Sequence, residues 1–196
     1  MSWRFIKFSC GTLLLATFLV QCVQSDYTKL VKSELAKGVR KDSVLLGIRF
    51  GITRNDFYAR CLELNQKHLT TQGIGFYVQY FILDSLVHPK PTQIQLLFSP
   101  GFDEKGVLTD MDLKFSYPGW SPWNKSLHSD SLKIKVMKLM EHWYGGNKFI
   151  TAHVDDHEVP VKLDGNRRLL VYIENPQIVV VSIQDILHPK YQHNIK

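Results

Sequence analysis

Residues 129–183 read SDSLKIKVMKLMEHWYGGNKFITAHVDDHEVPVKLDGNRRLLVYIENPQIVVVSI, and this stretch decides the fold. Leu132, Val136, Leu139, Met140 and Trp143 recur at helical spacing and form one apolar stripe. Ser129 or Asp130 stands where a helix cap is expected. Gly145-Gly146 stops the helix, because glycine accepts the left-handed backbone that follows a last turn. Short strands come next, over Phe149–Val154, Val159–Leu163, Arg168–Ile173 and Ile178–Ile183. Asp164-Gly165-Asn166 reads as a hairpin turn and Glu174-Asn175-Pro176 as another, so the pairing is antiparallel. Asp185–Lys196 reads as a polar tail.

Working outward, the same succession precedes it. Thr53 and Asp56 have the spacing of a capping box, and Phe57, Cys61 and Leu64 share one helical face. Phe76–Leu83 is aromatic and β-branched. His88-Pro89-Lys90-Pro91 is a turn. Thr92–Phe98 alternates, with Ile94, Leu96 and Phe98 on one side and Gln93, Gln95 and Leu97 on the other. Ser99-Pro100-Gly101 breaks that strand, and Val107–Tyr117 forms the next. Asp26–Asp42 is a lysine-rich lead segment with a short amphipathic helix through Tyr27, Leu30, Val31 and Leu35. The expected fold is α+β: two helix-then-antiparallel-strands units, with helices packed on one face of a sheet. Residues 26–120 hold the first unit with its lead segment, and residues 121–196 the second, together one compact domain.

Phe50-Gly51-Ile52-Thr53, followed by an amphipathic helix and a run of strands, resembles the exported modules of the beta-lactamase-inhibitor-like and outer-membrane-assembly-lipoprotein-like class. Those modules carry a Gly-hydrophobic-Thr/Ser lead-in to a helix and a following antiparallel sheet. Trp143-Tyr144-Gly145 through Leu163-Asp164-Gly165-Asn166-Arg167-Arg168 to Ile183 resembles uncharacterised exported proteins of Bacteroides-type bacteria. The resemblance implies a binding or assembly role rather than catalysis. It carries no functional residues over.

The beginning of the chain sets the compartment. Arg4 and Lys7 precede an apolar run from Gly11 to Val20, and Val23 and Ser25 are small residues before Asp26. This is the layout of a secretory signal peptide over residues 1–25. The run is too short for a membrane span, which needs about 20 apolar residues. Leu19-Val20-Gln21-Cys22 also has the outline of a bacterial lipoprotein box, with Gln21 where a small residue is preferred. Cleavage after Ser25 and lipidation at Cys22 are therefore the two alternatives. Either places the protein in the periplasm or outer cell envelope, soluble or lipid-anchored.

Removing 25 of 196 residues leaves 171, enough for a packed core. Of 24 basic and 18 acidic residues, two basic ones lie in the leader, so the remainder carries +4. The charges are dispersed, which argues against nucleic acid as a partner. Of the cysteines Cys10, Cys22 and Cys61, only Cys61 survives either route with certainty, so stability comes from packing and not from a disulfide.

Candidate chemistry is sparse. Trp120 and Trp123 flank Pro122 in a loop after Tyr117, and aromatic faces on a loop can stack on a sugar or a protein surface. The plainer reading is that they pack on the sheet and the second helix. Arg167 and Arg168 beside a turn could bind an anion, although such pairs are commonly solvated. His153, Asp155 and His157 would lie on one side of a single extended strand and could then bind a divalent metal. Exposed turns hold the same residue types. Asn124-Lys125-Ser126 matches a glycosylation acceptor by chance. There is no nucleophile elbow, phosphate loop or His-Glu-x-x-His. The reading is an exported, non-enzymatic cell-envelope protein that binds an envelope protein or a glycan, without a cofactor. The alternative is a metal-dependent hydrolase built on His153, Asp155 and His157.

Overall fold

The computed structural model describes residues 25–81, 93–154 and 157–192. The expected signal peptide with Cys22, the expected turn at 88–91 and Asp155 lie outside them. Helix α1 spans Asp26–Ala36 and is capped by Ser25, whose hydroxyl accepts the Thr28 amide. Helix α2 spans Arg54–Gln66. Its capping box is complete: Asp56 N–H donates to Thr53 Oγ1 at 3.2 Å, and Thr53 N–H donates to Asp56 Oδ2 at 3.3 Å. Helix α3 spans Ser129–Tyr144 and buries Leu132, Val136, Leu139 and Met140. Neither Ser129 nor Asp130 caps it; the cap position is His128, and its side chain makes no capping bond. The Ser129 amide instead donates to Pro176 O, which pins the helix start to a distant turn. Gly145 ends α3 at φ 57°, as its sequence predicts.

Among the described residues, eight strands form one antiparallel sheet. They are β3 (Thr70–Gln72), β4 (Val78–Phe81), β5 (Gln95–Phe102), β6 (Leu108–Ser116), β7 (Ile150–Val154), β8 (His157–Asp164), β9 (Arg167–Ile173) and β10 (Val179–Asp185). The order is β3-β4-β5-β6-β10-β9-β8-β7. Each half is a helix followed by a four-strand meander, and the halves join through their last strands. In that seam Val179, Val181 and Ile183 pair with Phe115, Leu113 and Met111. All six side chains are fully buried. The six lie on one face of the sheet and in one core cluster, so the apolar surface of each meander runs on into the other.

Strand β5 does not end at Ser99 but continues through Pro100 and Gly101 to Phe102. A Cβ on Gly101 would stand 1.9 Å from Asp110 Oδ1. The glycine serves the close approach of the neighbouring strand rather than a turn.

Alternation along β9 separates two cores. Leu169 and Val171 join the cluster under α2 and α3, while Leu170 joins Tyr27, Val31, Val161 and Leu163. Thus α2 and α3 cover one face, and α1 covers the other face at the β7–β8–β9 end. A small hairpin of β1 (Ser43–Leu45) and β2 (Ile48–Arg49) adds Val44, Leu45, Ile48 and then Phe50 to the larger core. The C-terminal stretch is not simply a polar tail. Ile186 and Tyr191 are buried, and Pro189–Gln192 forms a short helix α4.

Candidate functional site

The aromatic loop divides into three different environments. Tyr117 is only 1% exposed and packs in the core with the Lys135 ammonium over its ring, so it offers no surface to a partner. Trp120 is half-buried. Its indole N–H donates to Pro176 O at 3.1 Å and its ring lies 5.8 Å from His128, so it ties the loop to the β9–β10 turn. Trp123 is 84% exposed and projects from the loop. Of the three aromatics, only Trp123 is free to meet a partner.

The two arginines are buried on opposite faces of β9. Arg168 donates to Gln184 Oε1 and, at 2.7 Å, to the Tyr27 hydroxyl. It fastens α1 to the sheet and is shielded from solvent anions. Arg167 donates to Ser43 O at 2.9 Å and lies 4.3 Å over the Tyr144 ring. Both are internal, which corrects the expectation of a solvated pair; alternation in a strand covered on two faces is the reason.

The metal cluster loses its geometric premise. The chain reverses between β7 and β8, so His153 pairs with Glu158 and Val154 with His157. The histidines occupy alternate register positions in a hairpin rather than the same side of one strand. His153 is exposed, 3.5 Å from Glu158, and Asp155 lies outside the described residues. Among the described residues, no three His, Cys, Asp or Glu side chains come together as a metal site.

A further feature is an apolar groove that the local sequence pattern does not disclose. It lies between α2 and the β3–β4–β5 end of the sheet and has a volume of about 650 Å³. Phe57 forms its floor with Phe102, their rings edge to face at 5.8 Å. Arg54 stacks on Phe102 at 4.6 Å. Tyr58 and Leu62 rise from the outer side of α2, and both are more exposed than buried. On the rim Phe76 is 97% exposed, and Ile74, two residues earlier and outside the lining, is 82% exposed. Gly75, at φ +63°, turns the chain between them. The available sequence signal was the Tyr58–Leu62 spacing of four, a second apolar stripe beside Phe57, Cys61 and Leu64.

Cys61 lines the same groove. Burial pushes its thiol up to about 11 against the opposing influence of Arg60. It is a neutral thiol at physiological pH and acts as a small hydrophobe.

No family model matches the chain, and no curated protein does. A solved structure of a DUF4309 family protein, YjgB from Bacillus subtilis, aligns with 17% identity over 81% of this chain and 97% of that one, at a TM-score of 0.30.

Proposed function

We propose that the chain is an exported, non-enzymatic cell-envelope protein that binds another protein through the α2 groove. The observation that carries this reading is the pair Phe76 and Ile74, almost fully in water beside an apolar cleft. Contiguous exposed apolar surface is unfavourable unless something covers it, and aromatic anchors beside a pocket are the usual core of a protein interface. The partner is a protein segment bearing aliphatic or aromatic side chains. Ile74 and Leu62 are aliphatic and offer no ring for a sugar to stack upon, which favours protein over glycan. The signal-peptide layout supports export, and Cys22 supplies a lipid anchor if processing stops there.

The test compares envelope partners captured by the wild-type protein, by Leu62→Lys, by Phe76→Ser and by Trp123→Ser. All three positions are exposed, so the variants fold. The reading expects one protein to be lost by Leu62→Lys and Phe76→Ser and retained by Trp123→Ser. Equal capture by all four overturns it.

A further inference from the structure

A second concavity shares no lining residue with the groove. It is a cleft of about 480 Å³ between the β1–β2 hairpin and the last turn of α3, within the range of small-molecule sites. Its walls are Leu45, Leu46, Tyr80, Trp143 and Tyr144, and its cations are Lys41 and Arg167. We propose that this cleft binds a small organic carboxylate, with the charged group at Arg167 and Lys41 and the apolar body against Tyr80, Trp143 and Leu46.

The argument is one of charge and unmet hydrogen bonds. Arg167 has a side chain only 5% exposed, yet its fork makes a single good bond, to Ser43 O. Among the described residues its Nε has no acceptor. Its nearest carboxylate, Asp164, is 3.7 Å away and already paired with the buried Lys162. Lys162 also donates to Gly145 O and Asn147 O, which answers the negative end of α3. Two buried cations therefore share one carboxylate, and Arg167 is the surplus. Lys41 adds a further positive charge at the rim and pairs with no carboxylate among the described residues. A buried guanidinium short of acceptors is costly, and a planar carboxylate matches its fork.

The hairpin tip is built to line this space. Leu46 holds a left-handed backbone at φ 51°, an uncommon conformation for leucine. The Arg60 guanidinium secures it by donating to Leu46 O at 2.9 Å. Tyr144 completes the wall by donating its hydroxyl to Val44 O.

The experiment is a titration of the isotope-labelled protein, followed by amide chemical shifts, with benzoate, its neutral analogue benzamide and inorganic phosphate as probes. Benzoate is expected to shift residues 41–46, 143–145 and 167 saturably, with a Kd on the order of 1 mM for so small a ligand. Benzamide and phosphate are expected to bind roughly tenfold more weakly, for want of the charge and of the apolar body respectively. Lys41→Glu, at an exposed position, should weaken benzoate about fivefold or more without unfolding the protein. Arg167→Lys keeps the charge, removes the fork and should weaken it as well. The proposal is overturned by the absence of a saturable shift at these residues, by benzamide or phosphate binding as well as benzoate, or by Lys41→Glu leaving the affinity unchanged.

Discussion

The Glu34 carboxylate accepts the backbone amide of Gly165 at 2.9 Å, across 131 residues of sequence. Its other oxygen receives Asn147 Nδ2 at 2.8 Å, and Lys37 pairs with it as well. Gly165 sits at φ +56°, where a Cβ would meet Val39 O at 2.2 Å. Helix α1 is thus fastened to the β8–β9 turn by a buried charge rather than by apolar contact alone. Truncating Glu34 leaves the Gly165 amide buried without its acceptor and takes from Asn147 Nδ2 one of its two acceptors, Leu163 O being the other. Glu34→Ala is expected to destabilise the protein by about 3 kcal/mol. For a chain of this size that is a fall in melting temperature of roughly 6–12 °C, readable by calorimetry.

The same contact makes stability depend on acid. Burial works against an ionised Glu34, but the Gly165 amide, Lys37 and Asn147 outweigh it and hold its pKa below the ordinary 4.5. A carboxylate with a depressed folded-state value contributes fully above its unfolded value and loses that contribution as pH falls through the folded one. Denaturant unfolding from pH 7 to pH 3 should therefore show a loss that begins below about 4.5. In Glu34→Gln that part of the pH dependence should vanish, leaving only the contribution of other carboxylates. A Gln variant with an unchanged acid slope would show that Glu34 titrates normally.

What the sequence disclosed and what it hid divide by range of interaction. The capping box at Thr53, the stripe of α3 and the hairpin at Gly165-Asn166 depend on neighbours within a few residues, and all appear where their spacing puts them. The burial of Arg167 and Arg168 depends on what lies above and below β9, which no local pattern states. The His153–His157 reading failed because β7 and β8 pair antiparallel, so one apparent strand is two. The groove was hidden because Tyr58 and Leu62 sit on an otherwise polar helix face, and Phe76 looked like the start of a strand rather than a rim.

Gly101 offers a direct test of one such long-range effect. Asp110, which fills the space over it, also receives Thr109 Oγ1 at 2.8 Å and the Lys190 ammonium at 2.9 Å. It cannot swing aside without breaking these contacts. Gly101→Ala is expected to lower stability by about 1–3 kcal/mol, measured by denaturant midpoint. At Gly106 a Cβ meets open space, so Gly106→Ala suffers only the strain of φ +75° and should cost about 1 kcal/mol. A ranking in which Gly106→Ala is the worse variant would show that Asp110 has room to move.

If the leader is processed as proposed, Ser25 links that processing to stability. Its hydroxyl accepts the Thr28 amide and its carbonyl accepts the Lys29 amide, so it closes the first turn of α1. A chain beginning at Cys22 keeps this cap. One beginning at Asp26 loses it and places a free ammonium at the positive end of the helix, where charge of that sign is unfavourable. The form that starts at Cys22 is expected to be more stable by about 1–2 kcal/mol, and Ser25→Ala within it should remove about 1 kcal/mol. Tyr27 and Val31 pack against Val161 and Leu163, so the loss should appear as faster amide exchange along α1 and β8 while β6 and β10 stay protected. Equal stability of the two forms would mean that α1 is held entirely by its buried face and by Glu34.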